Sequence, residues 1–135
     1  MGPFVVDASA IAGTLFEDED PAYANAVLEE ASERGAIVPG IFWYEIRNML
    51  LIGERRGRVE RDNADEQIKA LRLAGIAIAP EAGDLETLAM ARAHNLSSYD
   101  AAYAVLAAKE KTPLATLDKK LIAAGEAGAF QLWRS

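Results

Sequence analysis

Pro3-Phe4-Val5-Val6-Asp7 is a short apolar run that ends in a carboxylate. Two of its three apolar residues are β-branched, which suits a strand buried on both faces, as in a parallel sheet. In an open α/β sheet, ligands gather outside the carboxyl ends of the strands. Asp7 stands at such an end. A carboxylate beside a core must be solvated, paired or bound to a cation, because leaving it bare costs several kcal/mol or so. The question for the remaining residues is which of them converge on Asp7.

Further along the chain, short apolar runs alternate with helical spacing. Residues 36–39, 76–80 and 114–117 read as three more strands, and 128–132 as a fifth strand at the sheet edge. Ala8 to Ala12 favours helix, with Asp7 or Ser9 near its start. The acidic run 17–20 reads as a solvated loop, with Asp20 as N-cap and Pro21 at the first helical position. Helical periodicity spans 22–34, with Tyr23, Val27, Leu28 and Ala31 inward. It recurs over 41–56 and over 62–74, where Ala64, Ile68 and Leu71 form the apolar stripe. Helices are also expected over 84–94, with Leu85, Leu88 and Ala89 inward, over 98–111, and from Asp118 to about 124. This alternation predicts an α/β fold with a mainly parallel, five-stranded sheet.

At 135 residues the chain is expected to be a single domain, 1–135, with a real core. Apolar residues make up 51 %, and the net charge of −7 does not point to a general nucleic-acid binder, although a local basic patch can act against that average. The absence of cysteine excludes a disulfide framework, a thiolate nucleophile and a Cys-based zinc site. The longest apolar run, 101–108, is too short to span a bilayer. No signal segment is legible at the N-terminus, so a soluble cytoplasmic protein is expected.

Four carboxylates have apolar neighbours. Asp7 and Asp118 end the first and fourth strands in the same sense. Glu45 interrupts the apolar helix 41–52, sharing a face with Ile41, Asn48, Met49 and Ile52 at ~100° per residue. Asp100 opens a helix with nothing charged before Lys109. Each has a simpler reading. Asp7 and Asp118 suit helix caps, Ser97 and Asp100 have capping-box spacing, and Glu45 suits a pair with Arg47 or a neighbouring helix. Together they suggest one acidic pocket. Clustered carboxylates repel one another, and a divalent cation relieves the repulsion. An all-oxygen set with no Cys and a single His suits Mg²⁺ or Mn²⁺ rather than zinc. Such an ion lowers the pKa of a water and holds a phosphate oxygen, and a pair of ions clamps both oxygens in phosphodiester hydrolysis. Ser9 and Thr116 lie two residues from an acid, placed to steady a carboxylate or a water, or simply as a helix-start and a strand hydroxyl.

Four segments carry a resemblance to a known family: Val5-Val6-Asp7-Ala8-Ser9-Ala10, Tyr44-Glu45-Ile46-Arg47-Asn48-Met49-Leu50, Leu96-Ser97-Ser98-Tyr99-Asp100-Ala101-Ala102-Tyr103 and Leu114-Ala115-Thr116-Leu117-Asp118. In this order, the sequence resembles the PIN-domain ribonucleases, in particular the VapC-type toxins of toxin–antitoxin pairs. The resemblance covers nearly the whole chain. It implies a three-layer fold with sheet order 3-2-1-4-5 and helices on both faces. It implies Mg²⁺- or Mn²⁺-dependent endoribonuclease activity, a homodimer, and inhibition by a small VapB-type antitoxin. Asp7 and Asp100 match the family's principal metal-binding acids, Glu45 and Asp118 the other two of its quartet, and Ser9 and Asn48 its supporting polar positions.

An acid cluster that meets a polyanion needs cations nearby. Arg55, Arg56, Arg58 and Arg61 are the densest basic run and the leading RNA-binding candidates, with Lys109, Lys111, Lys119 and Lys120 beside them. For any one of these, a solvated helix end is the competing reading. Phe42, Trp43 and Tyr44 are placed either to stack bases, to line an antitoxin groove or to pack the core. His94, the single histidine, reads as a helix-end residue. Two other functions compete. A phosphoacceptor signalling domain also carries acids at strand ends, but usually as a pair after the first strand, whereas Ala8 and Ser9 follow Asp7. A non-enzymatic interaction module would use the acids only as caps.

Overall fold

The computed structural model describes residues 2–135. Strand β1 (Phe4–Val6) is buried at every position. It lies between β2 (Ala36–Val38) and β4 (Leu114–Ala115), and β3 (Ile76–Ile78) pairs with the outer side of β2. All pairings are parallel and the order is β3-β2-β1-β4. The expected fifth strand is not a strand. Leu132 alone makes a parallel bridge to Leu114, secured by the Leu114 N–H donating to Gln131 O at 2.8 Å and the Trp133 N–H donating to Leu114 O at 2.9 Å. Segment 128–132 thus occupies the fifth place without extending the ladder. Part of it is taken up by the turn at Gly128 (φ 94°), which ends the preceding helix.

The crossovers fix the layers. Helices α1 (Ala22–Arg34), α2 (Ile41–Arg55) and α3 (Arg61–Leu71) connect β1 to β2 to β3, moving outward in one direction. Helices α4 (Asp84–His94) and α5 (Ser98–Glu110) then carry the chain back across to β4, and α6 (Lys119–Glu126) follows. Because parallel crossovers are right-handed, reversing direction puts α4 and α5 on the opposite face from α1 to α3. The switch in direction falls between β1 and β4, where such sheets open a crevice at their carboxyl ends.

The apolar spacing of α1 and α3 is realised. Val27 and Ala31, and Ala64 and Leu71, are buried, with Tyr23, Leu28 and Ile68 packed beside them. Helix α4 departs from expectation. Leu85, Leu88 and Ala89 are exposed, and Met90 and Ala91 make its core contact instead. The N-cap of α1 is Pro21 rather than Asp20, although the Asp20 carboxylate still accepts from the Ala22 N–H at 3.0 Å.

The acidic run is not simply solvated. Arg58, in the α2–α3 turn, donates to both carboxylate oxygens of Asp18 (3.0 and 2.9 Å) and to Glu19 (2.9 Å). Its guanidinium stacks on Phe16, 4.1 Å from the ring centroid. Phe16 in turn lies against Gly53, where a Cβ would fall 2.3 Å from the ring. Among the described residues no helix is long and apolar enough to cross a membrane.

Candidate active site

Register builds the site. Val6 pairs with Ala115, so the next residues on the two strands, Asp7 and Thr116, emerge side by side. The Thr116 hydroxyl donates to Asp7 Oδ2 at 2.8 Å, and Ser9 donates to the same oxygen at 2.5 Å. Backbone N–H groups of Leu117 and Asp118 donate to the Ser9 and Thr116 hydroxyls, each at 3.0 Å. Asp7 is 4 % exposed and takes the N-cap position of the 3₁₀ helix Ala8–Thr14, yet its side chain makes no cap bond. The cap reading therefore does not describe Asp7. It does describe Asp118, whose Oδ2 accepts from the Leu121 N–H at 3.0 Å. Ser97 caps α5 by accepting from the Asp100 N–H at 3.0 Å.

Of the two simple partners considered for Glu45, Arg47 is not engaged, and a neighbouring helix is. Arg47 lies over the Tyr44 ring at 4.7 Å instead. The buried face of α2 is Phe42, Trp43, Ile46, Leu50 and Gly53, so Glu45 lies on its flank, half-buried, with Ile52 and Asn48 exposed on the same side. Its Oε1 accepts from the Tyr103 hydroxyl of α5 at 2.5 Å. Tyr103 was hidden in sequence because it reads as one more apolar residue of a core helix. The signal was its place three residues after Asp100.

The four acids act on one another. Burial raises the Asp7 carboxyl above its ordinary value, with a further push from Asp118, while the Ser9 and Thr116 hydroxyls oppose it. Burial also raises Glu45, with Asp7, Asp100 and Asp118 adding to the rise and Tyr103 opposing it. Asp100 is raised by burial and then by Asp118 and Asp7, against Ser97 and Lys120. Asp118 adds to the rise of Asp7 and Asp100, and Asp7, Asp100 and Asp118 add to that of Glu45, so the charges of these acids act across β1, α2, α5 and the end of β4. They do not close into a preformed cage: among the described residues no three acid, histidine or cysteine groups are positioned as a ready ligand set. The donor chemistry fits a hard divalent cation, being all carboxylate and hydroxyl oxygen with mutual repulsion to relieve.

The arginine run lies elsewhere. Ten residues of helix separate Glu45 from Arg55, about 15 Å along the axis. Arg55, Arg56 and Arg61 are exposed, and Arg58 is engaged by Asp18 and Glu19. A basic residue does act on Asp100: Lys120, at the start of α6. Phe42 and Trp43 are core, whereas Tyr44 is 67 % exposed and Tyr99, beside Asp100, is 63 % exposed.

A parallel sheet of order β3-β2-β1-β4 flanked by helices is a PIN-like fold. The PIN-domain family profile matches residues 4–127, and the chain belongs to that family. Within it the chain is of the VapC type. It is 33 % identical over 124 residues to ribonuclease VapC3 of Pyrobaculum aerophilum, covering 87 % of this chain and 90 % of the relative. Among solved structures, PAE2754 from the same organism superposes with a TM-score of 0.72 at 27 % identity, covering 91 % of this chain and 86 % of that one.

Proposed function

We propose that this protein is a Mg²⁺- or Mn²⁺-dependent endoribonuclease, the toxin of a toxin–antitoxin pair, folded as a single domain. The observation that supports the reading is the buried Asp7 carboxylate at the end of β1, held by Ser9 and Thr116, with Glu45 on α2, Asp100 on α5 and Asp118 after β4 on the neighbouring elements. Asp7 and Asp100 are the principal metal-holding acids, with Glu45 and Asp118 completing the set. A bound divalent ion would supply charge neutralisation, a phosphate-oxygen ligand and an acidified water. Ser9 and Thr116 fix the Asp7 carboxylate, and Asn48, exposed one turn beyond Glu45, is a polar contact for substrate or solvent. Lys120 is placed to meet a phosphate at the rim, while Arg55, Arg56 and Arg61 extend the basic surface along α2.

The VapC-type relationship supports a VapB-type antitoxin as partner. Exposed Ile78 and Leu88, which line one groove with Tyr44 and Tyr99, support association between two copies of the chain, because monomeric surfaces seldom leave a contiguous apolar patch open. Sedimentation of the isolated chain as a monomer at micromolar concentration would reject the dimer.

The decisive experiment is RNA cleavage by the purified chain with Mg²⁺ or Mn²⁺, compared with Asp100→Asn. Loss of cleavage by two orders of magnitude or so with an unchanged circular dichroism spectrum is the expected result. Full activity in Asp100→Asn, or undiminished activity in EDTA, would reject the assignment.

A further inference from the structure

Tyr103 is among the largest fully buried side chains of the protein, and its hydroxyl is the polar end of an otherwise apolar helix face. A phenol in such a place needs a partner, because a buried unpaired hydroxyl costs about 1–3 kcal/mol. Here the partner is Glu45 Oε1, at 2.5 Å. The Ala8 backbone amide, next after Asp7, faces the same phenol. Tyr103 also lies three residues after Asp100 on α5, so the two share a helix face. One side chain therefore touches or borders the segments that carry three of the four acids.

We infer that Tyr103 is a positioning residue, whose hydroxyl fixes the Glu45 carboxylate toward Asp7 and Asp100 so that α2 and α5 present their acids as one set. The inference rests on the reading of Glu45 as a metal-site acid. Without a donor at Oε1, a half-buried glutamate on a helix flank has rotamers that turn it to solvent, next to exposed Asn48 and Ile52. With the donor, one oxygen is occupied and the other is directed.

The test is calorimetric Mn²⁺ binding to the full chain as wild type, Tyr103→Phe, Glu45→Gln and the double variant. Tyr103→Phe is expected to weaken Mn²⁺ roughly 10-fold, the scale of lost support behind a metal ligand. In the Glu45→Gln background the same change is expected to cost less than about twofold, because the group through which Tyr103 acts is already neutral. Wild-type affinity in folded Tyr103→Phe overturns the inference, as does an equal loss in both backgrounds. If Tyr103→Phe does not fold, chain labelled with 3-fluorotyrosine decides. The fluorine resonance of the buried tyrosine should move on Mg²⁺ addition in wild type and stay still in Glu45→Gln; the same response in both overturns it. A wild-type chain that binds no Mn²⁺ overturns the nuclease reading and this inference together, whereas binding with an unaffected Tyr103→Phe overturns this inference alone.

Discussion

Thr116 is buried, and its hydroxyl has three engagements, donating to Asp7, accepting from the Asp118 N–H and lying 3.3 Å from the Ser9 hydroxyl. Valine would keep the shape and lose all three. Thr116→Val is therefore expected to destabilise the chain by about 1–3 kcal/mol, read from urea unfolding, with Thr116→Ser costing less than half as much. A Thr116→Val chain as stable as wild type would mean that the Asp7 carboxylate does not depend on this donor. Much at this scale could be read in sequence. Asp7, Ser9, Glu45, Asp100, Thr116 and Asp118 could all be picked out, because a carboxylate or hydroxyl between apolar residues breaks a local pattern. What could not be read was which bond each makes. Asp7 and Asp118 both precede a helical segment, yet only Asp118 caps one, since register places Thr116 beside Asp7 and leaves Asp118 one step further on. Tyr103 breaks no pattern at all, and only the approach of α2 to α5 gives its hydroxyl a purpose.

At the scale of elements, the α2–α3 turn is held to the acidic loop through a stack of Gly53, Phe16 and Arg58. Gly53→Ala drives a methyl into the Phe16 ring and is expected to cost about 1–3 kcal/mol, since the ring can move only by giving up Arg58 or its own burial. Arg58→Lys retains a charge but not the fork that spans both oxygens of Asp18, so it should recover only part of the stability lost in Arg58→Ala. Thermal unfolding of the three variants checks both statements, and equal melting temperatures for Arg58→Lys and wild type would contradict the second. Helix positions were legible nearly to the residue because periodicity and terminal glycines mark them. The strands were legible as segments but not in length, since each needs only two or three paired residues before its chain turns away. The fifth was overread because an apolar run beside a glycine satisfies a strand pattern whether or not it has room to pair. The inward face of α4 was misassigned because leucine was taken to mean burial, whereas Met90 and Ala91 make the contact and Leu85 and Leu88 are left exposed.

Across the whole molecule, the acids make stability depend on pH. Asp7, Glu45 and Asp100 titrate higher in the folded chain than in the unfolded one. Between the two values the folded state binds more protons, so stability falls as pH rises through that window, from about 4 upward. Asp18 and Glu86 are shifted down, by Arg58 and by the Gly83 N–H respectively, and so contribute stability that is lost as pH drops below the ordinary carboxylate range. The metal-free chain should therefore melt highest at mildly acidic pH and a few degrees lower at neutrality. Asp100→Asn should raise the neutral melting temperature and flatten the slope; a slope unchanged by Asp100→Asn would remove Asp100 from the coupled group. Strand β1 has one more consequence. It occupies the middle of the sheet, but only the 3₁₀ helix and the surface loop 17–20 join it to the rest. A chain severed in that loop would yield a peptide of some eighteen residues bearing Asp7 and Ser9, and a remainder bearing Glu45, Asp100 and Asp118. Neither piece holds the full quartet, so the protein offers a natural split point, and any recovery of function on mixing would report the peptide threading back between β2 and β4.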